Sequence, residues 1–261
     1  MNHKFVVAVT ALKKMGTLLI AMIILGYSEN SFAQDKKIDT NALIAETQRQ
    51  SQSADKVSMI WWIPEEFWRA SFEQNPSVNA TQVEAFIKVL RPYIVIVALD
   101  GEMGPLGGIT YKSKESIQST MQIIDSEGNH YSPLTNEKID TDTNNFLSLM
   151  KPVFSNMLGA MGENMNFYLF PAKNEKGNII IDAKKEGKFS ILMDKAEYKW
   201  RLPLSSLLPP RLCPIDDEKL SGAWKYCPTH GVDLTRKICP VDKKKFNNSW
   251  KYCPTHGVEL N

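Results

Sequence analysis

Two stretches of this chain are strongly apolar at strand length: residues 57–63 (VSMIWWI), where Ser58 is the one polar position, and the continuous run 93–99 (YIVIVAL). Their β-branched and aromatic content predicts strands, the second a central one buried on both faces. Between them the pattern turns helical. Pro64-Glu65-Glu66 opens a helix, with proline at its first position and two acids facing the helix dipole, and Phe67, Trp68 and Phe72 give it an aromatic face. Thr81-Gln82-Val83-Glu84 reads as a capping box, followed by Val83, Phe86, Ile87 and Leu90 at helical spacing until Arg91-Pro92. Residues 113–119 suggest a short helix. Residues 144–164 place Phe146, Met150, Val153, Phe154, Met157, Leu158 and Met161 on one helical face, with Pro152 marking a kink or the true start. Residues 121–124 and 130–131 flank a Ser126-Glu127-Gly128-Asn129 turn, and 167–170 and 178–181 flank Asn174-Glu175-Lys176-Gly177, so two hairpins are expected. Residues 188–193 and 198–202 supply further strand. The order predicts an α+β fold over residues 57–208: a single domain with a largely antiparallel sheet and packed helices. Residues 34–56 are polar and read as a leader or loosely docked helix outside the core, and Pro209-Pro210 as a stiff joint.

Candidate chemistry in this domain is sparse. The aromatic cluster of Trp61, Trp62, Phe67, Trp68 and Phe72 is expected to be core, with a ligand groove as the rival reading. The glycine-rich stretch from Asp100 to Gly108 leaves the predicted central strand, where α/β proteins often hold ligands, and offers Asp100 and Glu102 as a carboxylate pair. It lacks the Lys-Ser/Thr of a phosphate loop and the spacing of a dinucleotide fingerprint, so a turn joining 93–99 to 109–111 is the expectation. Met157, Met161 and Met165 fall four apart and could hold Cu(I), although methionine is also ordinary core filler. His130, beside a turn, reads as a surface residue. No G-x-S-x-G elbow or H-E-x-x-H helix occurs, and no cysteine outside the tail stands as a nucleophile. The domain therefore leans away from an enzyme.

Residues 1–33 have the form of a secretory signal peptide, with Lys4, Lys13 and Lys14, an apolar run over 17–26, and Ser31-Phe32-Ala33 before the cleavage point. The apolar run falls short of the ~20 residues of a spanning helix. An exported protein follows, periplasmic or extracellular after cleavage near Ala33, with no transmembrane span in its mature form. The formal net charge is +2. Cleavage removes three lysines and one glutamate and leaves the mature chain near neutrality. Nothing in that balance supports phosphate-backbone binding, which needs a basic face, and Lys243 to Lys245 reads as a solvated hairpin tip.

The last fifty or so residues write one unit twice. Cys213-Pro214-Ile215-Asp216 and Trp224-Lys225-Tyr226-Cys227-Pro228-Thr229-His230-Gly231 recur as Cys239-Pro240-Val241-Asp242 and Trp250-Lys251-Tyr252-Cys253-Pro254-Thr255-His256-Gly257, at an interval of 26 residues. These are the only four cysteines in the chain. Two ligands three residues apart at a tight turn point at one ion, and two such turns complete a tetrahedral cage. The aromatic residues before the second turn are expected to cover a site too small to own a core.

Each unit resembles a zinc ribbon, whose pattern is C-P-x-C-G twice over. The resemblance covers about the last fifth of the chain, with units at 209–235 and 236–261. It implies two structural zinc ions. One would be held by Cys213, Asp216, Cys227 and His230, the other by Cys239, Asp242, Cys253 and His256. His and Asp stand where the family has Cys; His is an ordinary exchange and the harder Asp a rarer one. The rival reading for an exported chain is a pair of disulfides, Cys213–Cys227 and Cys239–Cys253, each worth about 3 kcal/mol in the chain-entropy model. A third is one site made from all four cysteines.

Three function classes stay open at this point. The first is a non-enzymatic binding or interaction protein with a protein partner in the cell envelope. The second is a metal-dependent envelope enzyme with an open Cys/Cys/His site. The third is a secreted domain whose tail is stapled by disulfides.

Overall fold

The structure is a computed structural model that describes residues 38–260 apart from 52, 54, 76 and 247–249. The expected signal peptide lies outside the described residues. Among those described, no helix is long and apolar enough to cross a membrane. The chain divides into two compact units, Met1–Leu202 and Pro203–Asn261. Residues 203–208, read from the sequence as the end of the α+β domain, fall in the second unit. There Ser221 Oγ donates to Ser205 Oγ at 2.6 Å. Gly222 lies so close to this segment that a Cβ on it would stand 2.3 Å from Pro209 O.

The first unit is α+β. Its elements are α1 (Thr40–Thr47), β1 (Gln48–Gln50), β2 (Lys56–Ile63), α2 (Glu65–Glu73), α3 (Ala80–Leu90), β3 (Tyr93–Met103), β4 (Ile109–Tyr111), α4 (Lys114–Thr120), β5 (Gln122–Ile124), β6 (His130–Tyr131), α5 (Thr141–Met157), β7 (Asn166–Pro171), β8 (Gly187–Met193) and β9 (Ala196–Leu202). One sheet runs β1-β2-β3, and the far edge of β3 is shared by β7 against residues 93–98 and β4 against 101–103. A second sheet runs β6-β5-β8-β9, and every pairing in both sheets is antiparallel.

The apolar character of these two strands is explained by two covered faces. Trp61 packs on Phe67 of α2 and Phe154 of α5, each at 5.2 Å between ring centres. The next residue along β2, Trp62, meets Phe189 of β8 at 4.9 Å, and Phe189 stacks on Trp200 of β9. Successive strand residues point to opposite faces. Helices therefore cover one side of the first sheet and the second sheet covers the other. The aromatic cluster is core, as expected.

Several sequence expectations need correction. The stretch read as a polar leader contains α1 and β1, with Leu43 and Thr47 fully buried. Thr47 earns its place through hydrogen bonds: its Oγ1 accepts the Trp61 indole N–H at 3.1 Å, and its carbonyl accepts that of Trp200 at 3.2 Å. The box capping α3 is formed by Asn79 and Gln82, two residues before the Thr81 box. Asn79 Oδ1 accepts the Gln82 N–H at 3.0 Å and Gln82 Oε1 accepts the Asn79 N–H at 2.9 Å. Residues 167–170 lie in β7 and pair with β3, not with 178–181, where one bridge, Lys173↔Ile179, remains. A segment apolar on both faces belongs beside the central strand. Helix α5 passes through Pro152, whose ring is exposed, without ending, and gives way at Gly159 to a 3-10 turn, Gly159–Asn164.

Candidate metal centres

The second unit contains two short hairpins, β10 (Arg211–Leu212) with β11 (Lys219–Leu220) and β12 (Lys237–Ile238) with β13 (Lys245–Phe246). Each hairpin carries the first of two tight turns in its repeat. All four turns share one hydrogen-bond pattern. Cys213 N–H donates to Glu218 O and Cys213 O accepts from Asp217 N–H, both at 2.9 Å. Cys227 does the same with Val232 and Gly231, Cys239 with Lys244 and Lys243, and Cys253 with Val258 and Gly257. The fifth residue of each turn is left-handed, with φ of +57° at Asp217, +64° at Gly231, +59° at Lys243 and +66° at Gly257. Glycine adopts that conformation freely, whereas Asp217 and Lys243 do so at about 1–2 kcal/mol. Because the turns match, the fourth residue stands in the same place relative to its cysteine in all four. That residue is Asp216, His230, Asp242 or His256.

Facing turns bring the side chains together. His230 Nδ1 lies 3.3 Å from Cys213 Sγ and 3.5 Å from Cys227 Sγ. His256 Nδ1 lies 3.4 Å from Cys239 Sγ and 3.5 Å from Cys253 Sγ. Within each Cys/Cys/His group the ligand atoms are all within 4.8 Å of one another. Zinc bonds of ~2.3 Å to sulfur and ~2.0 Å to nitrogen, at the tetrahedral angle, leave sulfur and nitrogen about 3.5 Å apart. The two groups thus have the donor set and spacing of ligands around one ion each, as zinc-ribbon-like units should.

The aspartates are nearby but outside those groups. Asp216 Oδ2 is 3.7 Å from His230 Nδ1, and Asp242 Oδ2 is 3.9 Å from His256 Nδ1. The other carboxylate oxygen of each accepts a backbone N–H two residues on, from Glu218 or Lys244, at 3.1 Å. One oxygen therefore holds the turn and the other faces the imidazole. Each carboxyl is held below its ordinary range. For Asp216 the hydrogen bond with Cys213 is the main cause; for Asp242 burial opposes the shift and is outweighed by the Lys244 N–H and Cys239.

The thiols divide in the same way in both units. Burial pushes Cys213 and Cys239 up, and the adjacent carboxylate adds to the effect. Burial also works against Cys227 and Cys253, but backbone N–H groups of the second turn overcome it, taking Cys253 down to about 7. A depressed thiol beside an imidazole is ready to act as a thiolate ligand.

No disulfide joins the cysteines; all four are free. The four-cysteine site is also excluded as an arrangement, since each group closes within its own repeat. The aromatic residues before the second turn are not the main cover of the sites, although Trp250 stacks on Phe246 at 5.7 Å between ring centres. Trp224 is 45% and Tyr226 63% exposed, and Trp250 is 46% and Tyr252 54% exposed. Cover comes instead from Leu220, Val232 and Leu234 in one repeat and Phe246, Val258 and Leu260 in the other.

The candidates in the first unit do not assemble a site. β3 continues past Asp100, so the turn is shorter than expected and spans residues 104–108. Asp100 is buried against Lys112 at 2.8 Å and hydrogen-bonded by Ser58, while Glu102 is exposed; they form no acid–base pair. Met157 ends α5, Met161 lies in the 3-10 turn and Met165 follows it, so the three do not form a helical stripe. His130 is exposed, with Nδ1 2.9 Å from Gln122 Oε1. A cavity of about 420 Å³ is lined by Trp62, Trp68, Glu65, Glu66 and Arg91 among others. Its acids are already ion-paired, Glu65 with Arg69 and Arg91 and Glu66 with Lys184. A second, of about 430 Å³, is lined by Phe67, Trp68, Phe72, Phe154, Ser71, Asn156 and neighbours, with no ionisable side chain.

Compared with protein-family models, curated proteins and solved structures, the chain matches none.

Proposed function

We propose that the second unit is a pair of zinc-binding ribbon-like modules on an exported, non-enzymatic binding or interaction protein of the cell envelope. Cys213, Asp216, Cys227 and His230 hold one ion, and Cys239, Asp242, Cys253 and His256 the other. The observation that carries this reading is the fourfold identity of the turns, which gives Asp216 and Asp242 the same backbone position as His230 and His256. A disulfide would ask nothing of that fourth residue. Four protein ligands close an ion to water, so the metal's role is structural and each module folds around it. The signal-like residues 1–33 support export.

A second reading rests on the longer reach of the aspartates. With three protein ligands and a water, each site would be open and of the catalytic kind. X-ray absorption at the zinc edge of the zinc-loaded full chain separates the two. The closed reading predicts two sulfurs at about 2.3 Å and two nitrogen or oxygen atoms at about 2.0 Å, unchanged by added hydroxamate or thiol. A first shell that changes on adding either ligand would establish the open site and overturn the structural role.

A further inference from the structure

The cavity of about 430 Å³ in the first unit plays no part in the metal reading. Its described walls come from α1, α2, α5 and Gln74, the residue after α2. Phe67, Trp68, Phe72 and Phe154 supply aromatic rings, and Met150 and Met157 add thioethers. Pockets for small molecules occupy roughly 300–1,000 Å³ and are mostly apolar, with a few polar groups that fix orientation. Such groups are present. Thr40, Ser71 and Gln74 stand half-buried on the wall, and among the described residues their side chains find no hydrogen-bond partner. Trp68 is 2% exposed, and its indole N–H is buried without an acceptor. A buried donor left unmet costs about 1–3 kcal/mol. The indoles of Trp61 and Trp200 both find acceptors on Thr47, so the fold provides for those two and not for Trp68.

We propose that this cavity binds an uncharged, ring-bearing small molecule that carries a hydrogen-bond-accepting oxygen. The aromatic walls favour a ring, because edge-to-face and offset ring contacts add to simple burial, and thioether sulfur packs well against ring edges. No described lining residue is ionisable, so a charged ligand would lose its water and gain no partner. An oxygen on the ligand gives the amide, hydroxyl and indole donors of the wall an acceptor. The cavity of about 420 Å³, which Trp68 also borders, differs in kind: Glu65, Glu66, Arg91, Lys173 and Asp182 line it. An uncharged ligand therefore belongs between the helices. This supplies a ligand for the first unit, goes beyond the metal reading and does not depend on it.

The test is titration of the zinc-loaded full chain with prodan, a neutral naphthalene ketone whose emission shifts to the blue in apolar surroundings. A saturable blue shift at one probe per chain is expected. 2-Acetylnaphthalene should displace the probe at least about 10-fold more effectively than 2-naphthoate, an anion of the same size. Val153→Trp fills the cavity from a half-buried position on α5 and should weaken prodan about 10-fold or more. Met157→Lys changes a side chain already 43% exposed, so the fold is kept, and it should turn the preference about 10-fold towards 2-naphthoate. Far-ultraviolet circular dichroism checks the folding of both variants. Absence of saturable binding overturns the proposal, as does equal displacement by 2-naphthoate, or a preference that Met157→Lys leaves unchanged. A dimer in light scattering that excludes prodan, and that Met157→Lys dissociates, would assign the cavity to a second copy of the chain and overturn it too. None of these outcomes alters the zinc content, so the metal reading is judged separately.

Discussion

At the scale of single residues the two most informative positions are carboxylates that do different work. Asp216 divides its oxygens between the Glu218 N–H and the site, and Asp242 repeats the arrangement with Lys244. If the second oxygen is a ligand, Asp216→Asn should lower zinc affinity of the first repeat at least ~10-fold in a chelator competition while leaving the second repeat unchanged. An unchanged affinity would leave Asp216 only the turn. Asp100 is the contrasting case. It is 1% exposed, and Lys112 stands 2.8 Å from it with its own proton held more firmly by that contact. Lys112→Met should cost about 3 kcal/mol in chemical denaturation, because it strands a buried charge. A loss below about 1 kcal/mol would show that Lys56, at 3.7 Å, takes over the pairing. The two Cys/Cys/His groups and their offsets were legible in the sequence, because a repeat displays what it keeps. The left-handed conformations of Asp217 and Lys243 were not. Glycine announces itself at Gly231 and Gly257, and a strained aspartate or lysine does not.

At the scale of elements, local chemistry fixes where helices and turns begin. Asn79→Ala should destabilise the first unit by about 1 kcal/mol, and Thr81→Ala by much less, since Thr81 lies within the first turn of α3. The sequence pattern points to Thr81, whereas in the folded backbone it is Asn79 Oδ1 that accepts the Gln82 N–H. The turn between β5 and β6 gives a pH-dependent example. Asp125 accepts backbone N–H from Glu127 and Asn129 at 2.9 Å and the Tyr131 hydroxyl at 2.8 Å. Burial opposes its ionisation, but these bonds prevail and hold the carboxyl below its usual range. A depressed carboxyl stabilises the fold above its unfolded pKa and loses that contribution as pH falls through the folded value. The stability gap between the native chain and Asp125→Asn should therefore be present at pH 7 and shrink below about pH 4. A gap that widens with acid would contradict the assignment. Strands 57–63 and 93–99 were legible because a run apolar on both faces has few other places to go. The partner of 167–170 was not, because pairing along β3 is a long-range choice that a nearby turn signal does not reveal.

At the scale of the whole molecule, the two units draw their stability from different sources. The first has a continuous aromatic core reaching from Phe86 and Phe146 through Trp68 and Phe154 to Trp61. The second has small clusters of a few side chains around each cysteine pair. Modules with so little core depend on a staple, and the proposed staple is an ion. Calorimetry of the zinc-loaded chain should show a transition that a strong chelator abolishes and another that it leaves in place. The α+β class could be read from the order of elements. The contribution of α1 was hidden, because Thr47 enters the core by hydrogen bonding and not by apolarity.

The central claim is that the cysteines hold metal and are not bonded to each other. Intact mass of the protein recovered from its own compartment, measured natively and again denatured without reductant, tests this directly. The account predicts two zinc ions per chain in the native spectrum and four free thiols in the denatured one. A metal-free chain lighter by four hydrogens, with Cys213 joined to Cys227 and Cys239 to Cys253, would contradict it.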